Sequence, residues 1–254
     1  MTWILLRGLT REARHWSGFE TQFAAQVSPT NATALDLQGN GEFYQQPSPT
    51  SVNAMVDFAR QQLLSRGIKP PHKLLAMSLG GMVATRWAQH YPIEVDGLVL
   101  INTSMRPFSR LTERLRPGNW PQLGLLAARW QDTDYAESTI HRLTCHSKSQ
   151  PDEDLALWRQ IRKSAPVSGL NALRQLQAAA RFSCANSAPR CPVLVLLSAA
   201  DQLVNPECST RLAEAWHTKH CSHPWAGHDL PHDDGQWVCE QVRNWLIAQQ
   251  MLLY

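Results

Sequence analysis

The chain has 254 residues, 43% of them hydrophobic and 18% charged, with a formal net charge of +3. That length suits one domain carrying an insertion better than two small domains, and it is enough to enclose a substantial core. The slight charge and the lack of a dense basic run speak against nucleic acid, and no stretch reads as a membrane span.

Trp3 to Leu6 is a short apolar run ending at Arg7-Gly8-Leu9, which reads as a buried strand. Met1 to Arg7 has no basic lead and too short an apolar run for a secretion signal, so a cytoplasmic location is expected. A helical pattern from Trp16 to Val27 follows, then a strand over Ala32 to Leu37 and a glycine-rich loop from Asp36 to Glu42. Pro47 and Pro49 interrupt regular structure, and Ser51 to Ser65 recovers helical spacing through Val52, Met55, Val56, Ala59 and Leu63. Lys73 to Met77 reads as another buried strand, bounded by breakers, and Leu79 to His90 as a helix. Tyr91-Pro92 ends it, because the residue before proline avoids the helical region. Val95 to Ile101 is the next strand.

Strands alternating with helices predict a mostly parallel sheet covered on both faces. The rhythm breaks after Asn102. From Thr103 to Ala188 only helix-like pieces occur, among them Pro121 to Trp130, Pro151 to Lys163 and Ser168 to Arg181. The alternation returns with a strand over Pro192 to Ser198, a helix over Pro206 to Trp216, a strand over Lys219 to Pro224 and a helix over Asp233 to Gln249. The expected organisation is therefore a core of residues 1–102 and 189–254, with residues 103–188 inserted as a helical cap.

Ser78 stands at the corner between a strand and a helix, with Ala76 two before it and Gly80 two after. A sharp turn that presents a reactive hydroxyl tolerates only small residues at those places. Capping a helix is the commoner use of such a serine. A hydroxyl is a weak nucleophile at neutral pH, so it needs a histidine base, and the base needs an acid to hold its tautomer. Asp201 follows the strand Pro192 to Ser198, and His228 follows the strand Lys219 to Pro224. Both would face the carboxyl edge of the sheet, where ligands of open α/β sheets bind. The bland readings are a helix cap for Asp201 and a polar loop histidine for His228, with His232 as the rival base.

The order Ser78, Asp201, His228 resembles that of the α/β-hydrolase family, over nearly the whole chain. The elbow pentapeptide matches the family's G-x-S-x-G at four positions of five, with Ala76 for the first glycine. Leu5-Leu6-Arg7-Gly8-Leu9 resembles the family's oxyanion segment, and Asp36-Leu37-Gln38-Gly39-Asn40-Gly41 its D-L-P-G-x-G loop. Arg7 departs from the usual histidine, and the usual first hairpin is missing. The resemblance implies an α/β-hydrolase fold with an inserted helical cap, no cofactor, and an oxyanion held by the backbone N–H groups of Leu9 and Leu79.

The cap is basic. Residues 103–188 hold ten arginines and two lysines against seven acids, a local charge of +5. A solvated face is the plain explanation, and an acidic acyl carrier the sharper one. In this the chain is loosely similar to small bacterial carboxylesterases of the pimeloyl-acyl-carrier-protein methyl ester esterase type. The expected reaction is hydrolysis of a small acyl ester or thioester through an acyl-enzyme. The alternatives are a carbon–carbon bond hydrolase or lyase on the same triad, and a binding protein that kept the fold without turnover. Arg7, Met105, Phe108 and Trp158 are expected beside the substrate. The cysteines at 145, 184, 191, 208, 221 and 239 include no C-x-x-C pair and are expected as reduced thiols. Cys221 with His217, His220, His223, His228 and His232 suggests a metal cluster, but strand alternation would scatter those side chains, so no metal is expected.

Overall fold

The computed structural model describes residues 2–27, 32–147 and 151–251. The apolar runs form six strands: β1 (Thr2–Leu6), β2 (Ala32–Leu35), β3 (His72–Met77), β4 (Val95–Ile101), β5 (Val193–Ser198) and β6 (Lys219–His223). All neighbouring pairs are parallel, in the spatial order β2-β1-β3-β4-β5-β6.

Parallel neighbours need crossovers, and helices supply them. Before β4 lie α1 (Phe19–Val27), α2 (Val52–Ser65) and α3 (Leu79–His90). Between β4 and β5 come α4 (Leu111–Arg114), α5 (Trp120–Ala128), α6 (Thr133–Thr144), α7 (Pro151–Ser164) and α8 (Gly169–Arg181). The chain continues with α9 (Glu207–Ala215), α10 (Leu230–Asp233) and α11 (Gly235–Met251).

The period of two along each strand sorts side chains to opposite faces. Ile4, Leu6, Leu74, Ala76, Leu98 and Leu100 pack with α2 and α3 through Met55, Val83 and Trp87. Trp3, Leu5, Leu75, Met77, Val99 and Ile101 pack with α1 and α11 through Phe23, Val242 and Trp245. Strands buried on both faces must be apolar at every position, which is why these runs were legible as strands. The chain forms the expected α/β-hydrolase fold: a parallel sheet with helices on both sides.

Several element boundaries differ from expectation for local reasons. The helical pattern from Trp16 to Val27 is split, because Ser17 takes a positive φ of 49° after a 3-10 turn at Ala13–Trp16. β2 stops at Leu35; the Asp36 carboxylate accepts instead from the N–H groups of Ala13 and Glu42. The start of the last helix is divided into α10 and α11. Ser51 and Ser168 act as N-caps, accepting from Ala54 and Asn171 at 3.3 and 3.1 Å. The expected spans also take in residues 1, 28–31, 148–150 and 252–254, which lie outside the described residues.

Between β4 and β5 the described residues hold helices, turns and one isolated bridge, Arg106 to Ser183. α8 seats this segment on the core. Its buried Gln175 accepts from the Thr10 N–H at 2.8 Å and donates to Asn40 Oδ1 and Ser48 Oγ. Asn171 accepts from the Ser48 N–H and donates to the Gln46 carbonyl. No helix among the described residues is long and apolar enough to cross a membrane.

Candidate active site

β3 ends at Met77 and α3 begins at Leu79, leaving Ser78 alone at the corner with φ 53° and ψ −119°. A non-glycine residue at positive φ is strained and is held there by its surroundings. Here its N–H donates to the Ile101 carbonyl at 3.0 Å, and its carbonyl accepts from the Thr103 hydroxyl at 2.8 Å. Two residues on, a Cβ at Gly80 would lie 2.5 Å from the Leu6 carbonyl oxygen, so only glycine lets α3 start so close to β1. The loop after β1 presses on the serine from the other side, and a Cβ at Gly8 would lie 3.1 Å from Ser78 Cβ. Leu79 is the first residue of α3, so its N–H has no carbonyl within the helix to bond. Leu9 lies in the adjoining loop, on the same cavity as Ser78.

Asp201 follows β5. Its Oδ1 accepts from the N–H groups of Leu203 and Val204 at 2.8 and 3.0 Å, and its Oδ2 lies 2.7 Å from His228 Nδ1. Both residues are buried. With Nδ1 engaged, Nε2 is the nitrogen left to serve a nucleophile. Burial presses the His228 pKa down, but the charge and hydrogen bond of Asp201 outweigh it, and the net shift is upward. Asn102, at the end of β4, ties the assembly together. Its amide nitrogen donates to the His228 carbonyl at 2.8 Å and to Ser198 Oγ at 3.0 Å, while its oxygen accepts from the Ser198 N–H.

Arg7 explains its departure from the family's usual histidine. Its guanidinium makes two hydrogen bonds to the Asp229 carboxylate and sits 4.7 Å from the Trp16 ring centre. Burial alone would raise the Asp229 pKa, yet Arg7 draws it below the ordinary value. Neither Asn102 nor the Arg7–Asp229 pair was singled out as support for the histidine from sequence. The only signal was position, since both Asn102 and Asp229 follow strands at the carboxyl edge.

Ser78, His228, Arg7, Gly8 and Leu9 line one cavity of about 310 Å³. Its far wall comes from the inserted helices, through Leu126, Trp130, Ile140, Leu143, Leu173 and Leu176. Three residues expected beside the substrate lie elsewhere. Met105 is fully buried in the core, Phe108 stacks edge-on against Trp216, and Trp158 packs between His15, His141 and His232. Apolar type alone does not tell a cavity wall from a core contact. Other large apolar side chains of the insertion, Leu111, Trp120 and Leu125, are exposed.

Several of the basic cap residues are spent on internal contacts. Arg114 is buried and donates to the Ala179 carbonyl; Arg162 is buried against Glu137 and the Trp130 carbonyl; Arg159 pairs with Asp134. Arg106 donates to the carbonyl of Arg181. His232, the rival base, has its Nε2 3.1 Å from Asp154 and is not among the cavity residues. Nor does the Cys221 group converge among the described residues: His220 is exposed on β6, while His223 is buried and meets Asp234. All six cysteines are free thiols.

A parallel sheet whose carboxyl edge carries a strained serine, an Asp–His pair and a capped cavity defines the class of α/β hydrolases. The family model described as "Serine aminopeptidase, S33" matches residues 12–233, and the chain belongs to that family. Among solved structures, a thermophilic esterase from Thermogutta terrifontis is 23% identical with a TM-score of 0.76, covering 98% of this chain and 90% of that one. The enol-lactonase from Burkholderia xenovorans is 15% identical with a TM-score of 0.78, covering 97% and 91%. Among curated proteins, the uncharacterized protein YbdG of Bacillus subtilis is 24% identical over 98 residues, which is 39% of this chain and 29% of that protein. The match thus spans under a third of that relative's length.

Proposed function

We propose that this hydrolase cleaves a carboxylic ester or thioester of a small acyl molecule, with Ser78 as nucleophile, His228 as base and Asp201 as the orienting acid. The observation that carries the reading is the 2.7 Å contact of Asp201 with His228 Nδ1, behind a histidine that shares the cavity with Ser78. Ser78 Oγ attacks the carbonyl carbon while its proton passes to His228 Nε2. The N–H groups of Leu79 and Leu9 receive the negative charge that develops on the carbonyl oxygen. The carbon–oxygen bond to the leaving alcohol then breaks, and the alcohol takes the proton from His228. Water, deprotonated by the same nitrogen, releases the acid and restores Ser78.

The apolar wall supports an acyl chain as the bound part of the substrate. The family's descriptive name speaks of an aminopeptidase, which would call for a free carboxylate to receive a substrate amine. Asp229 lines the cavity, but its charge is committed to Arg7, which favours an ester. Free thiols at all six cysteines support a reducing, cytoplasmic setting. A fluorophosphonate should label Ser78 in the intact protein and abolish turnover of p-nitrophenyl esters. No adduct would instead support a binding protein on a hydrolase fold. Products cleaved at a carbon–carbon bond, with esters untouched, would move the reaction to the other class.

A further inference from the structure

Outside the catalytic cavity, three elements distant in the chain bring soft and borderline metal ligands together. His141 and Cys145 lie four residues apart at the end of α6, and the Cys145 N–H donates to the His141 carbonyl at 2.8 Å, so the last turn is helical and both side chains share a face. His232 reaches the same place from α10. One ligand atom from each of His141, Cys145 and His232 falls within 4.8 Å of the others, the one such group of three among the described residues. Asp154 comes in from α7, its Oδ2 3.1 Å from His232 Nε2 and 3.8 Å from His141 Nε2.

The polar inventory of this cluster is incomplete as it stands. His141 is 8% exposed, and its Nε2 is buried without a hydrogen-bond partner. Such a group normally costs stability unless something receives it. Trp158 closes the apolar side, its ring centre 5.2 Å from that of His141 and 5.4 Å from that of His232. Asp154 is half-buried and gives the cluster a side open to solvent.

We infer that His141, Cys145, His232 and Asp154 form a binding site for a divalent transition ion of the zinc type. Two imidazoles, one thiolate and one carboxylate are a donor set that zinc accepts in tetrahedral geometry, and hard ions such as magnesium do not. Tetrahedral ligand atoms about 2.0–2.3 Å from a common centre lie roughly 3.3–3.8 Å apart, and the separations of 3.1 and 3.8 Å from Asp154 to His232 and His141 are close to that, with the group of three within 4.8 Å. Cys145 is a free, buried cysteine. Coordination forms a sulfur–metal bond and releases the thiol proton to water. The site joins α6 and α7 of the insertion to α10, which follows His228 directly. It therefore acts as a clamp between the cap and the catalytic histidine's loop, while the proposed chemistry at Ser78 proceeds without it.

The test is metal binding by the full chain, stripped with a chelator and kept reduced. Titration with Co²⁺ should saturate at about one equivalent, with the intense visible bands of a tetrahedral ion and a sulfur-to-cobalt charge-transfer absorption, and Zn²⁺ should displace it. Cys145→Ser should remove the charge-transfer absorption, and His141→Ala or His232→Ala should weaken binding at least about tenfold. Cys221→Ser, which alters a half-exposed thiol on β6, should change nothing. X-ray absorption on the zinc-loaded wild type needs no variant and should give one sulfur near ~2.3 Å with nitrogen and oxygen near ~2.0–2.2 Å. A weak octahedral cobalt spectrum, a zinc ligand shell without sulfur, or a charge-transfer absorption that survives Cys145→Ser overturns the assignment.

Discussion

Ser78, His228 and Asp201 each carry a separable consequence. Ser78→Ala should lower ester turnover by roughly 10⁶-fold while leaving the fold intact, read by p-nitrophenyl ester kinetics and circular dichroism. The base must be neutral to act, so activity should fall as pH drops through the His228 pKa, which Asp201 raises above the ordinary histidine value. In Asp201→Asn the attraction is gone and burial remains, so the acid limb of kcat/KM should move to lower pH. Turnover should fall by about 10⁴-fold at the same time. Stability runs in the opposite sense. A raised histidine pKa contributes stability below the unfolded value, and that contribution is lost as pH rises through the folded one. An acid limb that stays in place in Asp201→Asn would remove Asp201 from the proposed triad.

Between elements, the site depends on contacts that hold loops rather than on the reacting groups. Arg7, at the end of β1, and Asp229, before α10, form a buried ion pair that fixes the loop carrying His228. Asp229→Ala leaves a buried guanidinium without its partner and should cost about 3–5 kcal/mol in denaturant unfolding. Because the Asp229 pKa is lowered, the pair's contribution is present above the unfolded carboxylate value and is lost as pH falls through the lower folded one. Gln175 on α8 binds the Thr10 N–H beside the proposed oxyanion loop. Gln175→Ala should cost roughly 1–3 kcal/mol of stability and lower kcat more than it raises KM, because the loop is loosened where charge develops. These supports were not legible in the sequence. An arginine or glutamine in a polar stretch reads as solvent-exposed until a second element arrives to bury it.

Over the whole molecule, the cavity is made by two parts of the chain that meet only after folding. The core brings Ser78 and His228 to it, and α5, α6 and α8 bring the apolar wall. If that wall receives an acyl chain, Leu143→Trp should shift the chain-length optimum of p-nitrophenyl esters toward shorter acids, with Ser78 still labelled by a fluorophosphonate. An unchanged optimum would place the acyl chain elsewhere.

The central strands and their order in the chain were determined by sequence alone, because a run buried on both faces, such as residues 98–101 in β4, must be apolar throughout, whatever packs on it. Gly80 was legible for a related reason, since no other residue fits where α3 nearly touches β1. The inserted helices are another matter. Their apolar residues serve as core, cavity wall or exposed surface, and their spacing is compatible with each use. Only the docking of α8 through Asn171 and Gln175 decided that Trp130 faces the cavity while Trp158 is sealed behind it, against His141 and His232. Side-chain pattern sets local structure because its forces act within a few residues; which faces meet is set by contacts between residues more than a hundred apart, such as Gln175 with Asn40.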